Sequence, residues 1–73
     1  MKAYFEKVYQ KDNTLFCMTI QEPFEDCNGN MTKETYFIHS SILLSDGELT
    51  DWYIMKSYTN KKLAVKYFES LIK

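Results

Sequence analysis

Residues 60–73 read Asn60-Lys-Lys-Leu-Ala-Val-Lys-Tyr-Phe-Glu-Ser-Leu-Ile-Lys73, and their spacing decides the fold. Leu63, Ala64, Tyr67, Phe68, Leu71 and Ile72 recur at intervals of one, three and four, which places all six on one side of a helix. Lys61, Lys62, Lys66, Glu69, Ser70 and Lys73 fall on the other side. Thr59 or Asn60 offers a side-chain oxygen to the first orphan amides, so the helix is predicted from about 60 to 72.

Working outward, everything before this segment reads as strands and turns. Tyr4 to Gln10 is predicted as the first strand, ended by the turn residues Lys11-Asp12-Asn13. Thr14 to Gln21 is the second, with Phe16, Met18 and Ile20 sharing a side. Pro23 cannot donate to a central ladder, so the regular strand should end or bulge at Glu22-Pro23. Asn28-Gly29 then signals a tight hairpin tip of type I′. The third strand is expected from about Lys33 to Leu44, a two-residue turn at Asp46-Gly47, and the fourth from Leu49 to Tyr58.

That turn sets a register in which Leu44 faces Leu49, Ser40 faces Tyr53 and Ile38 faces Met55. Tyr36, Ile38, Ile42, Leu44, Leu49, Tyr53 and Met55 then share the face under the helix, with Asp51 at its rim. Phe37, His39, Ser41, Trp52, Ile54 and Lys56 take the opposite face. The expected architecture is α+β: a single domain, residues 1–73, with a four-stranded antiparallel β-meander and one C-terminal amphipathic helix on one face. One helix covers only one side of an open sheet. Phe37, Trp52 and Ile54 therefore need curling into a half-barrel, a homodimer or a partner protein to cover them.

Composition narrows function. Seventy-three residues with 45% hydrophobic and 16% aromatic content suit a small core built on large rings. All nine basic residues are lysine. Without arginine the chain lacks the rigid fork that reads guanine and phosphate. The best nucleic-acid candidates are Lys56, Lys61, Lys62 and Lys66 beside Tyr58. Overall net charge is −1, which together with the absence of arginine argues against nucleic acid as a partner. Charge is segregated: residues 22–51 hold Glu22, Glu25, Asp26, Glu34, Asp46, Glu48 and Asp51 against Lys33 alone, net −6, while residues 52–73 are net +4.

No reaction chemistry stands out. His39 is the sole histidine, and Cys17 and Cys27 are too few and too far apart for a zinc motif. Asp26, Asn28 and Asn30 begin like a calcium loop, but Met31 stands where glycine belongs and Phe37 where glutamate does. The only glycines, Gly29 and Gly47, sit in separate turns, so there is no phosphate loop. The reading is of no enzyme, no cofactor and no metal. Met1-Lys2-Ala3-Tyr4 runs into strand-like sequence without a signal peptide, and no apolar run reaches membrane-spanning length. A cytoplasmic protein with free thiols is expected, with no membrane partner.

The acidic arm around Phe24 is the leading functional feature: Glu22, Glu25 and Asp26 surround an aromatic held off the sheet by Pro23. Small size, the absence of catalytic groups and an all-lysine basic set are common among small phage and mobile-element proteins. Some of those inhibit host defence nucleases, the anti-CRISPR proteins among them; this is an analogy of class alone. The expected function is a protein-binding module or inhibitor offering acidic groups to a basic surface. The expected contact residues are Glu22, Phe24, Glu25, Asp26, Phe37, Trp52 and Ile54. A lysine-based nucleic-acid regulator and a homodimeric structural subunit are the alternatives.

Overall fold

The computed structural model describes residues 4–73. Four strands, β1 (Val8–Lys11), β2 (Thr14–Gln21), β3 (Thr35–Ile42) and β4 (Tyr53–Tyr58), precede one helix, α1 (Lys61–Ile72). Every neighbouring pair is antiparallel and the order is β1-β2-β3-β4, an open meander. The sheet is not closed. β2 and β3 pair over eight residues without a slip, from Thr14 opposite Ile42 to Gln21 opposite Thr35.

The N-terminal strand is shorter than the sequence suggests. Glu6 adopts a left-handed φ of 60°, which reverses the chain before β1 can extend toward Tyr4. Phe5 instead forms a parallel bridge with Met18, and the Glu6 amide donates to the Met18 carbonyl at 2.9 Å. Phe5 is thereby buried, its ring 5.8 Å from that of Tyr36.

Both expected two-residue hairpin turns are three-residue loops. Gly29 donates its amide to the Asp26 carbonyl, and Asp26 donates to the Asn30 carbonyl. Gly47 to Leu44 and Leu44 to Glu48 repeat this pattern. Within these two loops only the glycines have positive φ, 82° and 89°. Asn28 and Asp46 do not, whereas a type I′ turn needs positive φ at both central residues. The extra residue moves Leu49 opposite Leu43 rather than Leu44. Residues 49–52 then run outside the regular ladder, and pairing resumes with Tyr53 opposite Ser40. Asp51 lies exposed in this irregular stretch.

A second slip follows between Ile38 and His39. Ile54 faces His39, but Ile38 faces Lys56, so Met55 is the extra residue of a bulge. A bulge inverts the alternation beyond it. Lys56, expected on the far face, turns to the helix side, with its Nζ 5.9 Å from the ring centres of both Tyr58 and Tyr67.

α1 is capped by Asn60, whose Oδ1 accepts from the Leu63 amide at 3.1 Å. Ala64 and Phe68 are fully buried against Phe5, Phe16, Met18, Tyr36 and Ile38. Leu63, expected in the core, is 53% exposed, and Val65 is half-buried against the core instead. The helix is rotated so that Ala64 and Phe68 centre the contact. Phe68 sits between Tyr4 and Tyr9, with ring centres at 5.8 and 5.6 Å. The Tyr4 hydroxyl donates to Glu69 at 2.5 Å, and Lys11 Nζ donates to the Lys73 carbonyl at 2.7 Å, so the helix ends beside β1. Ser40 is a buried exception, with no partner for its hydroxyl among the described residues.

The Tyr4 hydrogen bond, helped by Lys73, holds the Glu69 carboxyl below its ordinary range and raises the Tyr4 phenol. A depressed carboxyl contributes stability above its unfolded pKa and loses it as pH falls through the folded value. Tyr4→Phe should let the Glu69 pKa rise toward normal in a carboxyl-carbon NMR titration. The variant should be less stable at neutral pH, and its deficit should close in acid. For the core, Phe68→Ala should cost about 3–5 kcal/mol in denaturant unfolding. An unchanged midpoint would mean that the helix is seated elsewhere.

Candidate functional site

The helix is too short for the sheet it serves. Twelve residues rise about 18 Å, while the molecule is 46 Å along its long axis. The radius of gyration is 14.0 Å, against about 11 Å for a compact domain of this length. The excess comes from the two connections, which project from opposite ends of the sheet: the arm 22–34 beyond β2 and β3, and the hairpin 43–52 beyond β3 and β4. Since α1 runs from β4 back to β1, it leaves the second of these uncovered.

Exposure follows from that geometry. Ten large apolar side chains are exposed among the described residues, and six fall between 42 and 54: Ile42, Leu44, Leu49, Trp52, Tyr53 and Ile54. Four of these, Ile42, Leu44, Leu49 and Tyr53, were expected beneath the helix. Ile42, Leu44 and Tyr53 lie past its reach, and Leu49, opposite Leu43, has turned to the other face. Trp52 is 41% exposed and Tyr53 52%, the side-chain types that most often anchor protein interfaces. Asp46, Glu48 and Asp51 share the hairpin, net −3. Its base is braced by the Ser41 hydroxyl donating to the Thr50 carbonyl at 2.6 Å, and by the Ile42 amide donating to Thr50 Oγ1 at 2.8 Å.

The acidic arm carries Glu22, Glu25, Asp26 and Glu34 against Lys33, also net −3. The sequence-level charge of −6 is thus divided between two opposite ends. The arm is a self-braced hairpin: Thr32 and Phe24 exchange bonds through Thr32 N–H to the Phe24 carbonyl (2.8 Å) and Phe24 N–H to Thr32 Oγ1 (2.9 Å). Glu25 bridges Met31. Phe24 is 47% exposed, and Glu22 and Glu25 are exposed. Asp26 is half-buried, and its Oδ1 accepts from the amides of Asn28 (2.9 Å) and Asn30 (3.0 Å). It therefore shapes the turn, and its calcium-loop spacing is turn chemistry. Glu34 accepts from the Tyr36 hydroxyl, which raises the Tyr36 phenol above its usual range.

Phe37 and Ile54 lie on the sheet face away from the helix, on neighbouring rows. Phe37 is half-buried and Ile54 is 55% exposed. Trp52 precedes β4, outside the ladder. The same face carries a pairing that spacing did not reveal: Cys17 stands directly opposite His39 across β2 and β3. The His39 Nε2 is committed to Thr19 Oγ1 at 2.9 Å. Burial, with Glu6 nearby, pushes the Cys17 thiol up, away from the thiolate that nucleophilic chemistry requires. Both thiols are free. Among the described residues, no group of three or more His, Cys, Asp or Glu could hold a metal, and no helix is long and apolar enough to cross a membrane. No family model matches this chain, and neither a curated protein nor a solved structure matches it.

Asp26→Ala should remove two turn bonds and speed amide exchange at Asn28 and Asn30, with global stability changed by only about 1 kcal/mol. Asp26→Asn keeps an accepting oxygen and should preserve protection. Equal exchange in both variants would show that the side chain does not hold the turn.

Proposed function

We propose that this protein is a non-enzymatic protein-binding module whose principal contact is the β3–β4 hairpin. The observation that carries the reading is the concentration of exposed Ile42, Leu44, Leu49, Trp52 and Tyr53 on one acidic, hydrogen-bonded projection. An apolar centre supplies affinity, and a charged rim steers encounter. Carboxylates at the rim select a basic partner. The acidic arm at the other end, with Phe24 at its side, offers a second contact of the same character.

A basic groove that ordinarily holds nucleic acid is the surface this combination suits, since carboxylates can occupy phosphate positions. This supports the narrower reading of a nuclease inhibitor of the kind phages and mobile elements encode. Lysine-based nucleic-acid binding is less well supported. Lys56 lies over Tyr58 and Tyr67, and Lys61 over Phe5, which occupies ring faces that a base would stack on.

The test begins with capture of a partner on the immobilised chain, followed by calorimetry with that purified partner at two salt concentrations. Leu49→Ala with Trp52→Ala should weaken binding by tenfold or more, about 1.4 kcal/mol, without shifting the melting temperature. Glu22→Gln with Glu25→Gln and Asp26→Asn should leave stability unchanged and reduce the salt sensitivity of binding. Full affinity in the Leu49 and Trp52 variant would end the hairpin reading. A groove-blocking inhibitor should also displace nucleic acid from its partner.

A further inference from the structure

We propose that the outer edge of β4, with the recess between that strand and α1, takes an extended acidic peptide from another protein as an added strand. β4 is the last strand of the sheet, and no strand among the described residues pairs with its other side. Such an edge leaves alternate backbone amides and carbonyls for an incoming chain. Beside it, Tyr58 of β4 and Leu63, Lys66, Tyr67 and Ser70 of α1 line a recess of about 270 Å³. A second recess of about 310 Å³ shares Tyr58 and Leu63 and continues past Ser57. Leu63, 53% exposed, therefore borders both.

Charge selects the peptide. A strand paired with β4 sets every second side chain beside Lys56 and Tyr58, on the helix side of the sheet. Lys56 reaches that side through the Met55 bulge, with its Nζ 5.9 Å from the ring centres of Tyr58 and Tyr67. Lys66 stands on the flank of α1, exposed and, like Lys56, in no ion pair among the described residues. β4 holds no carboxylate. The one carboxylate of α1, Glu69, is bound to Tyr4 and Lys73, and Glu34 accepts from the Tyr36 hydroxyl. A carboxylate in the added strand thus meets two lysines, and an apolar side chain two residues on meets Tyr58, Leu63 and Tyr67. The chain's own edges supply no such strand. β4 against β4 brings Lys56 toward Lys56, and the only charged residue of β1 is Lys11; like charges across strands repel. Nucleic acid would engage the lysines but leave the backbone edge unused. Beyond the bulge only Lys56, Ser57 and Tyr58 continue the regular ladder, so few backbone bonds hold the peptide. The complex is therefore weak, and salt weakens it further.

This inference is independent of the hairpin reading, which concerns a basic partner at another site. The probe is a synthetic peptide of about eight residues, with threonine at every second position and glutamate and phenylalanine alternating between. It is titrated to about 1 mM, a range that registers weak binding, against the isotopically labelled full chain at low salt. Saturating amide NMR shifts should centre on Lys56, Ser57, Tyr58, Leu63 and Lys66, and raising the salt should weaken binding. Lys66→Glu with Leu63→Ser should weaken it tenfold or more. Lys66→Glu alone, at an exposed position, serves if the double variant proves unfolded by circular dichroism. A peptide with lysine in place of glutamate should not bind. Methylating the peptide's backbone nitrogens at positions of one parity should abolish binding and at the other parity preserve it, since only one parity faces β4. No shift at about 1 mM overturns the proposal, as do shifts centred on residues 43–52, equal binding of the lysine peptide, or equal binding of both methylated forms. Shifts at these amides that grow with protein concentration alone would assign the edge to a second copy. Tighter binding of a thymidine oligonucleotide at the same amides would assign it to nucleic acid, and either result overturns the proposal.

Discussion

The seating of Phe68 between Tyr4 and Tyr9 holds this small fold together. One ring joins the last element to the first described residues and to the edge strand β1. It is fully buried, as few side chains of any size are among the described residues. Around it the Tyr4–Glu69 bond and the Lys11–Lys73 contact fix the helix across the sheet. These polar links are partly exposed and individually weak. They orient a contact whose energy comes from aromatic burial.

The same seating explains what is left bare. A helix of three turns, anchored toward β1, cannot also cover the far end of β3 and β4. Ile42, Leu44 and Tyr53 have the inward parity of core residues and the exposure of surface residues, while Leu49, opposite Leu43, has slipped to the other face. Their hairpin is nevertheless ordered by the Ser41 and Thr50 bonds. A preorganised apolar projection loses less entropy on binding than a flexible one.

Two slips of the ladder assign the remaining surfaces. The loop with Gly47 in a left-handed conformation removes the expected facing of Leu44 and Leu49. The Met55 bulge turns Lys56 toward Tyr58 and Tyr67. The result is a molecule with separated properties: acidic projections at two ends and lysines along the helix. Each suits a different class of contact.

The sequence by itself determined the element types and their order. Period 3.6 at 63–72, alternation at 14–21, and Gly29 and Gly47 in turns are local signals, written in consecutive residues. β2 was legible residue for residue, and so was the Asn60 cap among the two candidates named. Phe24, Glu22 and Glu25 were likewise readable as an exposed acidic arm, because proline and turn residues act locally. Only the tertiary structure decided the reversal at Glu6, the bulge at Met55, the exposure of Leu63 and the hairpin core, and the facing of Cys17 and His39. Each depends on register across strands far apart in the chain, or on how far a helix reaches. One added residue inverts every side chain beyond it. No periodicity within a single strand records where its partner will place that residue.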